Sequence, residues 1–242
     1  STLIDTKHKI KTVVLRSLVD SDEIEQIIEN KKTLFFRKLL QKPKKNEVHV
    51  HSIKLTYEAF LILSGKYSAN FYRKATHPIS VDYTVKEIIF GDVIFPIKQG
   101  KGVLGKLGTK IKSHTKRKHQ VDLDLEEHVF LEDQQEISFD HHGKEIKMPY
   151  KMSSEIIESY PKRTLQKTDG IVRKPEITYD AAVGKLVSKL KQSVSIGRRN
   201  LVEKIDIDEI IELYVPIYEA RLIGPRKNVR IMRIDGMRKK VL

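Results

Sequence analysis

The chain has 242 residues, 39% of them hydrophobic and 32% charged, and its 46 Lys and Arg against 32 Asp and Glu leave a formal charge of +14. That composition excludes fibrous and disordered classes, and the excess of one sign points to an anionic partner such as nucleic acid. With no Cys, thiol catalysis, disulfides and Cys-type zinc sites are also excluded.

Residues 1 to 18 hold only a short apolar run, Val13 to Leu15, flanked by Lys7, Lys9 and Lys11. No signal-peptide pattern opens the chain and no apolar run reaches the ~20 residues of a membrane span, so a cytoplasmic location is expected. Asp20-Ser21-Asp22-Glu23 then reads as a helix start, with carboxylates where the helix dipole favours them. Ile24, Ile27, Ile28, Phe35 and Leu39 keep one face apolar, Lys31, Lys32, Arg37 and Lys38 line the other, and Pro43 stops the pattern.

Val48 to Lys98 reads as an antiparallel meander, punctuated by turns at Ser64-Gly65-Lys66 and Phe90-Gly91-Asp92. Its aromatics Tyr57, Phe60, Tyr67, Phe71 and Tyr72 suit either core packing or a stacking platform for bases, packing being the commoner use. His49 and His51 alternate toward one face, and His119, His128, His141 and His142 are further candidates to complete a metal site, although no spacing fixes their meeting.

From Lys98 to Gln120 there are eight Lys or Arg and no acid, while Val121 to Asp140 carries eight Asp or Glu and no Lys or Arg. The basic block reads as a loop and the acidic block as strand; partial mutual neutralisation within the chain is the plainer alternative to an external partner. Gly100 to Lys106 spells GKGVLGK, but Leu107 stands where magnesium ligation needs Ser or Thr, so nucleotide hydrolysis is not expected. His141 to Lys144 reads as the turn of a hairpin whose return strand carries Glu145-Ile146-Lys147. With Asp124, Glu145 and Lys147 resemble the acid-plus-Glu-x-Lys pattern of metal-dependent nucleases, a three-residue likeness that a highly charged chain produces readily.

A short helix is expected at Ser153 to Tyr160 and a linker from Pro161 to Pro175. Tyr179-Asp180 opens an amphipathic helix through Val194, ended by Gly197 with Arg198 and Arg199 at its C-terminus. From Arg221 onward there are eight Lys or Arg against the single acid Asp235. Helix and strand patterns recur with the same spacing of 33 positions, Asp22 to Leu55 and Asp180 to Leu213, which suggests a degenerate internal repeat.

The fold class expected is therefore α+β with two related lobes, each a helix on a small antiparallel sheet. Residues 1–98 form the first, 99–170 a basic loop, acidic hairpin and linker, and 171–242 the second. The expected function is a non-catalytic nucleic-acid-binding module acting through phosphate contacts, with no cofactor. Lys106, Lys110, Lys112, Lys116, Arg117 and Lys118 would form a basic arm, and Arg226, Lys227, Arg230, Arg233, Arg238 and Lys239 an ordered face. The alternatives are the metal-dependent nuclease, and an adaptor domain of a larger ATPase-type machine that binds an acidic protein partner.

Overall fold

The computed structural model describes the backbone of residues 2–5, 9–98, 118–191 and 198–242, and the side chains from residue 10 onward within those ranges. Ten strands are described: β1 (Thr2–Asp5), β2 (Lys9–Val14), β3 (His49–Asp82), β4 (Glu87–Phe90), β5 (Val93–Pro96), β6 (Lys118–Phe139), β7 (Glu145–Ile146), β8 (Val172–Arg173), β9 (Arg198–Ile223) and β10 (Val229–Asp235). The α-helices are α1 (Ser21–Lys31), α2 (Pro161–Lys167) and α3 (Tyr179–Leu190).

One eight-stranded sheet dominates, in the order β1-β9-β3-β6-β7, with β2 and β10 also paired to β9 and β8 to β3; β4 and β5 form a separate hairpin. The sheet is mixed, because β2 runs parallel to β9 and β8 parallel to β3, whereas β10 and β7 pair antiparallel with β9 and β6. This overturns the expectation of two related lobes with small antiparallel sheets.

The reason lies in the middle of β3. Every residue from Tyr57 to Leu63 is buried, which gives the near-continuous apolar run of a strand covered on both faces. Tyr57 and Ala59 pack with Val14 and Tyr214, while Phe60 and Ile62 pack with Val13, Leu15, Leu213 and Val215. Gly65 is not a turn but lies within this strand. A Cβ there would stand 3.1 Å from both the Asp206 carbonyl oxygen and Leu186 Cδ2, so glycine serves close approach rather than reversal.

The helices form for local reasons and bury one stripe each. The Asp20 carboxylate accepts from the Glu23 N–H at 2.8 Å, capping α1, whose Ile24 and Ile28 pack with Val48, Ala220, Leu222, Met232 and Ile234. Thr178 caps α3 by accepting from the Ala181 N–H at 3.1 Å, and Ala182, Leu186 and Leu190 are its buried stripe. The expected extension of α1 toward Leu39 does not occur, since a 3-10 turn over Lys32–Phe36 takes its place. Helix α2 falls at Pro161–Lys167, where a linker was expected, and only a 3-10 turn at Ser154–Ile156 occupies the predicted helix before it. Gly197 lies outside the described residues; α3 finishes at Leu190, and Arg198 and Arg199 begin β9 rather than capping a helix.

The chain divides into two compact units, Ser68–Leu131 with Ser193–Glu203, and Thr2–Tyr67 with Glu132–Gln192 and Lys204–Leu242. In the first, the carboxylates of β6 are engaged locally: Glu127 by Arg73 and His77, Asp124 by Thr76, Glu126 by Arg199 and Asp122 by Lys98. Tyr72 stacks on His128 with ring centroids 4.5 Å apart, and the Arg199 guanidinium lies 5.0 Å from the Tyr72 ring. In the second unit lie the three core clusters just described and both sites considered below.

Candidate nucleic-acid interface

Two short segments of the larger unit meet at one cleft. The first follows α1, where the chain reverses over Lys38-Leu39-Leu40-Gln41, closed by reciprocal Lys38 and Gln41 backbone bonds of 3.0 and 3.1 Å. The second is the reversal between β9 and β10 at Pro225-Arg226-Lys227-Asn228, closed by the Gly224 N–H donating to the Asn228 carbonyl at 2.8 Å. Phe36 joins them, because its ring lies where a Gly224 side chain would be; a Cβ at 224 would stand 2.4 Å from it. Only glycine permits that approach.

The resulting cleft, about 560 Å³, is lined by Arg37, Lys38, Lys42, Arg226 and Arg230, with Glu47 as its single carboxylate. Glu47 is itself occupied, accepting from the Lys44 N–H at 2.7 Å. Neither the five lining cations nor the adjacent Lys227 has an ion-pair partner among the described residues. Arg226 and Lys227 both have φ of +60°, the left-handed region that side chains other than Gly and Asn enter at a cost of about 1–2 kcal/mol each. A four-residue turn whose two central residues both have this sign normally carries Asn, Asp or Gly at them. Here two cations hold the positions instead.

A larger cleft of about 900 Å³ is lined by Ile10, Lys11, Tyr160, Lys162 and Arg163 together with Glu209. Its cationic excess is smaller, and the Arg163 guanidinium already lies 5.5 Å from the Tyr160 ring.

The basic residues expected from the sequence fall into three groups. Lys106, Lys110, Lys112, Lys116 and Arg117, and with them the glycine loop, lie outside the described residues; Lys118 opens β6 and is exposed. Arg226, Lys227 and Arg230 are exposed and converge as described. Arg233, Arg238 and Lys239 are engaged elsewhere. Arg233 donates to the buried Glu58 and lies 3.6 Å from Glu219, which also pairs with Arg173 at 2.6 Å.

Arg238 pairs at 2.7 Å with the fully buried Asp235, and Lys239 at 3.1 Å with Glu23. Burial alone would raise the Asp235 carboxyl. Hydrogen bonds from Tyr150, from the Arg238 N–H and guanidinium and from the Met237 N–H outweigh it, holding the group below the ordinary carboxylate value. These ion pairs anchor the C-terminal segment.

Sequence reasoning missed Arg37 and Lys38 as interface residues because they read as the polar face of a longer helix, and it assigned no role to Lys42. The signal available was Gly224-Pro225, a turn marker directly before two cations. The aromatic platform is not formed, since Tyr57, Phe60, Tyr67 and Phe71 are all buried and Tyr72 faces His128. Asp124 is bonded to Thr76, while Glu145 is 3.6 Å from Lys189. Neither carboxylate belongs to a group able to hold a metal ion among the described residues. No helix among those residues is long and apolar enough to cross a membrane.

Comparison with protein-family models, with curated proteins and with solved structures returned no match.

Proposed function

We propose that the chain is a non-catalytic nucleic-acid-binding module that grips phosphates at the cleft between the Lys38–Gln41 and Pro225–Asn228 reversals. The observation that carries this reading is the pair Arg226 and Lys227, held exposed and without ion-pair partners among the described residues in a backbone conformation costly to both. Strained cations beside Arg37, Lys38, Lys42 and Arg230 serve an external anion better than they serve the fold. Lys106, Lys110, Lys112, Lys116, Arg117 and Lys118 belong to the proposal on their sequence alone, as a further set of phosphate contacts.

Titration of binding to DNA, RNA and heparin against salt tests this. If the six cations at the cleft each neutralise a phosphate, log affinity for duplex DNA falls against log salt with a slope of about −5, and the further basic set steepens it. Altering base sequence at fixed length leaves affinity nearly unchanged. A flat salt response overturns the proposal.

A second reading, an adaptor docking on an acidic protein, is favoured by one observation: Leu39 and Leu40 at the tip beside this cleft are 104% and 96% exposed. Phosphates have no use for that apolar pair, whereas a protein surface does. Comigration with a protein partner that is lost on replacing both leucines by serine, without nucleic-acid binding, would favour this reading over the first.

A further inference from the structure

The reversal that follows β6 carries two adjacent histidines, and it is built more rigidly than a surface turn requires. The Asp140 N–H donates to the Lys144 carbonyl at 2.9 Å, the Gly143 N–H to the Asp140 carbonyl at 3.0 Å, and the Lys144 N–H to the Asp140 carboxylate at 2.9 Å. Gly143 takes φ of +86° against Ile177, where a Cβ would stand 3.0 Å from the Ile177 Cβ. The Glu176 N–H donates to the His141 carbonyl at 2.8 Å, tying the segment before α3 to this turn. His141, His142 and Glu176 are thereby brought together, each offering one ligand atom, all within 4.8 Å of one another.

An independent feature marks the same place. His141 is only 9% exposed, and its Nδ1 has no hydrogen-bond partner among the described residues although the buried Glu58 carboxylate lies 2.9 Å away. The contact has the right length and the wrong direction. A small rotation of the ring, such as coordination through its other nitrogen imposes, would align Nδ1–H with Glu58 and give the carboxylate–histidine–metal arrangement that fixes tautomer and orientation.

We propose that His141, His142 and Glu176 bind a divalent transition cation of the Zn²⁺ class, with Glu58 as the positioning residue behind His141. Two imidazoles and one carboxylate suit Zn²⁺, and nitrogen ligands argue against Mg²⁺ or Ca²⁺. Metal–ligand distances of about 2.0–2.2 Å place tetrahedral ligand atoms ~3.4 Å apart, so the site closes by rotation of the exposed His142 and Glu176 side chains. The bound ion would staple the β6–β7 turn to the N-terminus of α3.

The test uses the full chain stripped with chelator. Zn²⁺ titration against a chromophoric chelator should show one tight site per chain, Co²⁺ should give the intense visible bands of four-coordination, and Zn²⁺ should raise the melting temperature. His142→Ala and Glu176→Gln remove exposed side chains and leave the fold intact; each should weaken Zn²⁺ binding at least tenfold and abolish the thermal shift. Replacing His49 and His51, exposed on β3, should change nothing. No stoichiometric binding, or binding that survives both ligand variants, overturns the assignment.

Discussion

The tip between β4 and β5 turns on Gly91 at φ +59°, with nothing within 4 Å of where a side chain would be, whereas the tip between β9 and β10 turns on Arg226 and Lys227 at φ +60°. The backbone sign is shared and the chemistry is opposite. The first is the low-cost solution to a reversal; the second places two cations, without ion-pair partners among the described residues, in a costly conformation at the end of a strand pair whose core side is fully buried at Met232 and Ile234. The same contrast runs from this reversal through β10 to the C-terminal segment. Arg226, Lys227 and Arg230 are without ion-pair partners among the described residues, while Arg233, Arg238 and Lys239 are bound to Glu58, Asp235 and Glu23. Identical residue types a few positions apart thus either pair within the fold or stand without an ion pair among the described residues.

The largest expected effect lies at the engaged end. Asp235→Ala removes the acceptor for Tyr150 Oη at 2.6 Å, Arg238 Nε at 2.7 Å and the Met237 and Arg238 N–H groups, all at a fully buried position. A loss of about 3–5 kcal/mol is expected, measured by denaturant unfolding, with the salt slope for nucleic acid unchanged in the folded fraction. The wild type should also be acid-sensitive through this residue. Its folded pKa lies below the ordinary 3.8, so its contribution is complete well above that value and is lost as pH falls through the folded value. If Asp235→Ala instead flattened the salt response at full stability, the division between anchoring and binding cations would collapse.

A smaller effect is expected at the joint of the cleft. Gly224→Ala drives a methyl into the Phe36 ring and should cost about 1–3 kcal/mol, because the ring can move only by disturbing the contacts it makes in the α1 cluster. Binding should fall with it, since Arg37 and Lys38 follow Phe36 directly. Unchanged stability would mean that the two reversals are not coupled through this contact.

How much of this the sequence disclosed follows from the range of the interactions. The caps at Asp20 and Thr178 act over three residues, and the β6–β7 turn over five, so α1, most of α3 and that hairpin were legible. Gly65 was misread because its reason for being glycine is Asp206 and Leu186, far away in the chain. Leu39 was read onto a helix face because its spacing fits one, yet the helix yields to a 3-10 turn at Lys32 and leaves the residue exposed. Charge counting failed for a related reason. It cannot separate Arg233, whose partner Glu58 is 175 positions away, from Arg230, which has no ion-pair partner among the described residues. His141 and His142 were visible as a pair, but Glu176 enters only through the backbone bond that ties the two segments.

The smallest effect is the most diagnostic, because it moves stability and binding in opposite directions. Replacing Arg226 by Asn and Lys227 by Gly installs the residues this reversal prefers and should stabilise the protein by about 1–2 kcal/mol in denaturant unfolding. The same double substitution removes two cations and should make the salt slope for duplex DNA shallower by about 2. Gain of stability with loss of slope means the strain is maintained for the anion. If stability rose with the slope intact, the cations would be incidental to binding. If neither changed, the left-handed turn would not be strained, and the contrast with Gly91 would carry no functional meaning.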